Sequence, residues 1–366
     1  MMSSSLPMVL RSQALLDAQA GAGAPATLPI TAQGTTYTMA QEAVWLDATH
    51  YAVGRWDGSL SIFQFTASPT QGPLIAKAVN TPEQEGVQMI TSLAPLSGFL
   101  TSNDDSSMIV WASASGAWSD LQAAATLSYS ASLGVANSGS AIWLAGQCYA
   151  VVGHANGWVS IWQLGGSLAN WTQVAATDVR SGHPVNPWGL TNIRGVAPLP
   201  ADATYGYVVT GSEDGNLTVV RVPDGVILSA IVYNPAAQRG INSLATNGYA
   251  LLVANCAVGP TDFNLWSYTI TPGAWTITLT DSVNLVVDPT AAQVFNFDVI
   301  WAATASQSLQ FFSSTQEGAL WMGQVTLNGQ FAITGYQAVT SALGSALCFQ
   351  AGQLAVTAHD LYEFLV

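Results

Sequence analysis

The feature of this chain that most restricts its fold is a recurring unit: a short apolar segment, a tight polar turn, then an alternating segment that ends in an aromatic or apolar residue. The first copy runs Tyr51-Ala-Val-Gly54, the turn Arg55-Trp-Asp57-Gly58, then Ser59-Leu60-Ser-Ile62-Phe63. The second is Phe99-Leu-Thr-Ser102, Asn103-Asp104-Asp105-Ser106, then Met108-Ile-Val110-Trp111. The third is Tyr149-Ala-Val-Val-Gly153, His154-Ala-Asn156-Gly157, then Val159-Ser-Ile161-Trp162. The fourth is Tyr207-Val-Val-Thr-Gly211, Ser212-Glu213-Asp214-Gly215, then Leu217-Thr-Val219-Val220. Three looser copies follow. Leu251-Leu-Val-Ala254 leads to Phe263-Asn-Leu265-Trp266, Val299-Ile-Trp301-Ala-Ala303 to Leu309-Gln-Phe311-Phe312, and Leu354-Ala-Val-Thr-Ala358 through His359-Asp360 to Leu361-Tyr-Glu-Phe364.

Asp-Gly and Asn-Gly are favoured in two-residue hairpin turns because the central positions need φ > 0. The segment before each turn is nearly all apolar, as expected of a strand buried on both faces. Copies recur at about 43 to 58 residues, the period of one four-stranded blade. The expected fold is therefore all-β: a single domain over residues 1–366, a seven-bladed β-propeller of four-stranded antiparallel blades. Blades are expected at about 39–85, 86–130, 131–178, 190–235, 238–284, 285–330 and 331–366. Ala117-Trp-Ser-Asp-Leu121, Trp171-Thr-Gln-Val174 and Trp275-Thr-Ile-Thr-Leu279 read as parts of outer strands. The last copy stops one strand short. Residues 1–38 are expected to supply the missing outer strand, from Leu6–Asp17 or Thr27–Met39, so that the ring closes without an exposed edge.

The repeat resembles the WD40 family, whose blades carry an Asp-Gly turn before a strand ending in Trp. The resemblance covers residues 36 to 366. It departs from the family in lacking the closing Trp-Asp dipeptide, since the third copy reads Trp162-Gln and the second Trp111-Ala. It implies a ring-shaped scaffold that binds proteins through loops or its central channel.

Composition narrows the function classes. Hydrophobic residues make up 49% and charged residues only 8%, with mean hydropathy +0.33, which excludes a disordered chain. No apolar run approaches the ~20 residues of a spanning helix. The net charge is −14, with one lysine (Lys77) and six arginines, a poor surface for nucleic acid. Cys148, Cys256 and Cys348 are far apart and odd in number, so they read as small buried hydrophobes rather than a disulfide framework. The N-terminus has about five apolar residues before Arg11, short of a ~7–15-residue signal core. A cytoplasmic protein, or one assembled into a particle, is the expectation.

The second-to-third strand turns share one face with the long loop Asp178 to Arg194. That face is the expected binding site, with Trp56, Asp57, Asp104, Asp105, Arg180, His183, Trp188, Arg194 and Asp214 as candidates. Arg180 and Arg194 suit a carboxylate clamp, and Trp188 a stacking contact. His154, Glu213, Asp262, His359 and Asp360 fall on the same face. The four histidines have no metal-ligand spacing, and the Asn103-Asp104-Asp105-Ser106 turn lacks the spacing of a calcium loop, so neither metal nor cofactor is expected. No nucleophile elbow is present. The expected function is a non-catalytic protein–protein interaction or structural scaffold, in its specific form a subunit of a large assembly such as a virion or phage tail or an extracellular appendage. The alternatives are a glycan-binding propeller and, behind it, a hydrolase or lyase using the acidic loops.

Overall fold

The computed structural model describes residues 31–32, 40–65, 74–79, 86–103, 105–180, 190–233, 240–255, 263–288, 290, 294–305, 308–326, 328–338, 346–350, 352–357 and 361–365. Strand β1 (Thr31–Ala32) precedes six antiparallel meanders, each made of four consecutive strands. The first holds β2 (Ala40–Trp45), β3 (His50–Arg55), β4 (Ser59–Gln64) and β5 (Leu74–Val79). The second holds β6 (Ile90–Ser92), β7 (Gly98–Asn103), β8 (Ser107–Ala112) and β9 (Gln122–Ser128). The third has β10 (Ala136–Leu144), β11 (Gln147–His154), β12 (Trp158–Leu164) and β13 (Trp171–Asp178). The fourth has β14 (Ile193–Leu199), β15 (Gly206–Ser212), β16 (Asn216–Val222) and β17 (Ile227–Val232). The fifth comprises β18 (Ile241–Asn247), β19 (Ala250–Asn255), β20 (Leu265–Thr271) and β21 (Thr276–Val283). The sixth comprises β22 (Asn296–Ala305), β23 (Ser308–Thr315), β24 (Ala319–Thr326) and β25 (Phe331–Ala338).

The remaining sheet is built differently. It has three C-terminal strands, β26 (Ala346–Gln350), β27 (Gln353–Thr357) and β28 (Leu361–Leu365), and its fourth member is the two-residue β1. β1 touches β28 through Thr31 opposite Glu363 and Ala32 opposite Tyr362. In every one of the six meanders the pairing of third and fourth strands shifts register once, as between Ile161 and Trp162 or Val219 and Val220. Among the described residues the closing sheet pairs without a shift. The expectation of seven like blades is thus corrected: six are complete meanders of one pattern, and a three-strand sheet with a two-residue graft completes the ring. The sixth boundary also moves. Phe331–Ala338 pairs with β24, so the sixth blade runs past 330 and the closing sheet begins at Ala346.

The first strands form the inner wall, each packed on the next from β2 through β6, β10, β14, β18 and β22 to β26, which returns to β2. The hydrophobic core lies between sheets. Met89, Leu100 and Val110 of the second blade, for example, meet Ala150, Val152 and Trp162 of the third. Burying both faces explains why β15, Gly206–Ser212, is buried at every position. The turns follow the sequence too: Gly58, Gly157 and Gly215 have φ of 74°, 75° and 82°, where a side chain would be strained. Trp118 differs from its expected place in an outer strand. It sits in a turn at φ 64°, is 1% exposed, and donates its indole N–H to Asp47 of the first blade at 2.6 Å.

Third-strand tryptophans anchor the blades by a repeated bond. Trp111 donates to Thr101 Oγ1 at 2.8 Å, Trp162 to Ser160 Oγ at 2.9 Å, and Trp266 to Asn255 Oδ1 at 3.1 Å. These indoles are structural. Cys148 and Cys348 are buried cysteines, and burial pushes the Cys148 thiol up to about 11, so it stays protonated. Cys256 lies outside the described residues.

Candidate functional site

The candidate site is the central channel and its mouth on the turn face. The channel arises because every first strand offers one edge of its backbone and alternate side chains to the ring axis. Five first strands carry a bulge near their N-terminal ends, with Gln41, Asn137, Arg194, Asn242 and Phe297 as the extra residues. A bulge re-aims side chains. All five of these residues line a cavity of about 630 Å³. The residues next in chain order, Glu42, Ser138, Gly195, Ser243 and Asp298, form a second layer along it.

Neighbouring first strands are stitched in this layer. Ser138 Oγ donates to the Ile193 carbonyl at 2.9 Å, and Asn242 Nδ2 to the Asn296 carbonyl at 2.8 Å. Asp298 is the most connected group. Its Oδ1 accepts from Ser243 Oγ at 2.6 Å and from the Val299 N–H at 2.9 Å, and its Oδ2 accepts from the Leu347 N–H at 2.8 Å. One carboxylate therefore holds β18, β22 and β26 together. Burial pushes Asp298 up to about 6 against the pull of those three hydrogen bonds. Burial, with the charge of Asp298 adding to it, holds Glu42 well above the usual carboxylate range.

At the mouth, Trp56 stands 48% exposed and lines the cavity. Arg194 Nε donates to Glu213 Oε1 at 2.8 Å, and Asn192 Nδ2 donates to Glu213 Oε2 at 2.9 Å. Of the residues expected on this face, Trp56 of the first blade and Arg194 of the fourth both line the channel. Others serve the turns themselves. Asp57 accepts from the Ser59 N–H at 3.0 Å, and Asp105 accepts from Ser107 Oγ at 2.5 Å. Asp214 is 2% exposed and accepts from Ser212 Oγ and the Asn216 N–H, so it is a turn brace rather than a surface carboxylate. Arg180 pairs with Asp178, Nη2 to Oδ2 at 2.9 Å, with its stem lying over Gly157. Asp104, His183, Trp188, Asp262, His359 and Asp360 lie outside the described residues.

His154 is fully buried, not part of a surface. Ser160 Oγ accepts from the Trp162 indole and lies 2.7 Å from His154 Nε2, so it donates there. That places the ring proton on Nδ1, 3.1 Å from the Gly134 carbonyl. Burial drives its pKa down to about 4, keeping the ring neutral. Among the described residues, no group of His, Cys, Asp and Glu is arranged to hold a metal ion.

Glu42 and Asp298 were not among the expected site residues. A carboxylate in a strand reads as an outward-facing position, whereas the first strands here line the cavity along the ring axis. The signal available was a shared pattern, Glu42-Ala-Val-Trp45 and Asp298-Val-Ile-Trp301, an acid three residues before a tryptophan in the first strands of two blades.

Comparison with solved structures agrees with this architecture. The crystal structure of the β-propeller domain of Cps50 (Swd1) from Myceliophteria thermophila matches with a TM-score of 0.65, covering 92% of this chain and 100% of that one. The likeness is one of fold. Identity is 12%, which carries a β-propeller and nothing of its partners. No family model matches the chain, and no curated protein matches it in sequence.

Proposed function

We propose that the chain is a non-catalytic scaffold that binds protein partners on its turn face, where the central channel opens. The observation that carries this is the mouth itself: a half-exposed tryptophan on the first blade and a paired arginine on the fourth, both lining a preformed cavity in a closed ring. Trp and Arg supply most binding energy at protein interfaces, and a rigid frame spares the cost of ordering them. The acidic turns support the same reading from the other side. Asp57, Asp105, Asp178 and Asp214 are each engaged in holding a turn or a neighbouring arginine, which leaves a hydrolase built on them without its reagents.

The narrower form of the proposal is a subunit of a large assembly. It is supported by the acidic, lysine-poor composition, which disfavours nucleic acid and suits a cationic partner surface. Among the described residues no helix is long and apolar enough to cross a membrane. The test is gentle isolation of the native protein with its neighbours, followed by binding measurements on the identified partner. Trp56→Ala and Arg194→Ala are expected to weaken that binding by at least ~10-fold each, the scale of an interface hot spot. A partner bound equally well by both variants would move the interface elsewhere. A single-chain species with no neighbour, together with glycan binding that needs Trp56, would replace the scaffold reading with a lectin.

A further inference from the structure

The channel changes character along its length. Its second layer is polar, and with the carboxyls ionised its side chains offer acceptors only. The Ser138 and Ser243 hydroxyl protons are committed, one to the Ile193 carbonyl at 2.9 Å and the other to Asp298 Oδ1 at 2.6 Å. Asp298 Oδ2 accepts the Leu347 N–H at 2.8 Å and keeps a second lone pair. Glu42 accepts the N–H of its neighbour Ala43, and among the described residues no side chain donates to it. Two residues further along four of these strands the lining turns apolar. Val44, Ala197, Ala245 and Ile300 form a third layer there, joined by Phe349 of β26.

A channel of this kind suits a ligand with donors at one end and hydrocarbon at the other. We propose that the second and third layers bind a free primary alkylamine, its ammonium held in the second layer and its chain lying along the third towards the face opposite the turns. An ammonium carries three donors and no acceptor, the complement of that layer, and its hydrogen bonds to carboxylates are of the strong, charge-assisted kind. Arg194 is the only basic side chain among the residues that line the cavity, and it is paired with Glu213 at the mouth. No resident cation therefore answers Asp298 and Glu42. Two to three residues of strand span about 7–10 Å, which sets the chain at roughly five to seven carbons. A volume of about 630 Å³ falls within the range of small-molecule sites. The site lies inside the channel, so it goes beyond the proposed partner face and does not depend on it.

Titration calorimetry of the full chain at neutral pH, with n-hexylamine, 1-hexanol, hexanoate and ethylamine as probes, tests the assignment. Hexylamine should bind one to one. Hexanol should bind at least ~10-fold more weakly, the worth of one charge-assisted hydrogen bond, and hexanoate more weakly still. Ethylamine keeps the head without the chain and should also lose at least ~10-fold. Glu42→Gln removes a charge at constant volume and should weaken hexylamine by about 5- to 10-fold. Ala245→Leu fills the apolar layer and should weaken hexylamine at least ~10-fold while leaving ethylamine unchanged. The probe series needs no variant, so the proposal stays testable if either substitution perturbs the ring. Nα-acetyl-lysine amide carries the same head on a stem that ends in peptide groups, and it should bind more weakly than hexylamine. Tighter binding of that probe would overturn the free amine in favour of a partner's lysine side chain. Absence of hexylamine binding, equal binding of amine, alcohol and acid, or amine binding that neither variant weakens would overturn the site itself.

Discussion

The third blade and the closing seam each hold a titratable group in a hydrogen-bond network, and acid acts on the two in opposite directions. In the third blade, His154 is locked neutral between Gly134 and Ser160, within a meander whose four strands are consecutive and fully paired. At the seam, Asp298 bridges three strands that belong to different sheets. A histidine buried as its neutral form stabilises the fold above its unfolded pKa and loses that contribution on acidification. A carboxyl whose pKa is raised on folding, as that of Asp298 is, does the reverse. The difference teaches that these two pieces of one ring are secured by distinct means: the blade by continuous local pairing, the seam by a polar contact between segments far apart in sequence.

The strongest way to sharpen this contrast is to remove the histidine. His154 drops from 6.5 to about 4 on folding, so the parent is expected to lose on the order of 2–3 kcal/mol between pH 7 and pH 4 through this group. A His154→Leu variant should be less stable than the parent at pH 7, by about 1–2 kcal/mol for its lost hydrogen bonds, and should lack that acid slope. Urea midpoints at pH 7 and pH 4.5 measure both. Equal acid slopes in parent and variant would show that the blade's lock is not where protons are taken up.

The blade was legible in the sequence and the seam was not, for a physical reason. A tight turn such as Asn156-Gly157 is a local event: Gly157 needs φ of 75°, and the flanking apolar segments fix the register of β11 and β12. The seam depends instead on which strands meet around the ring, so Asp298 acquires its role only once β18 and β26 both pack on β22. Trp118 shows the same limit at close range. Its neighbours resemble a strand, yet a left-handed turn aims its indole at Asp47 of the first blade, where tertiary contact overrides local preference. Of the residues that line the channel, Trp56 was readable because turn positions follow from connectivity, whereas Arg194, read as the end of a loop, is the bulge residue of β14. The structural duties of Asp214 and His154 were hidden, since both turn residues look solvated in a linear reading.

A middle-sized effect is expected at the rim of the seam. Removing residues 1–35 deletes β1 and with it two residue pairings to β28. Such a short graft is worth about 1–2 kcal/mol on the scale of a few backbone hydrogen bonds. Its loss should also uncover the β28 edge, so the truncated chain is expected to self-associate at concentrations where the full chain does not. Unfolding midpoints and light scattering at several concentrations decide it. A truncated chain with unchanged midpoint and mass would mean that the axis alone holds the closing sheet. A collapse of the fold would mean that the N-terminal segment contributes more than its two paired residues.

The smallest effect should come from the ion pair that covers the third blade's own turn. Arg180 grips Asp178 through Nε and Nη2 at 3.0 and 2.9 Å, and its carboxylate partner is held below the usual range by that guanidinium. Both side chains are well exposed, at 42% and 31%, so water screens the pair and the turn beneath retains its own backbone bonds, Gly157 N–H to the His154 carbonyl and Val179 N–H to the Gly157 carbonyl. Arg180→Ala should therefore cost no more than ~0.5 kcal/mol, and less still in high salt. A loss several times larger that persists at 1 M salt would show that Arg180 works through its stem packed on Gly157 rather than its charge. The blade would then share with the seam a dependence on a contact outside its local pairing, and the contrast between the two regions would narrow.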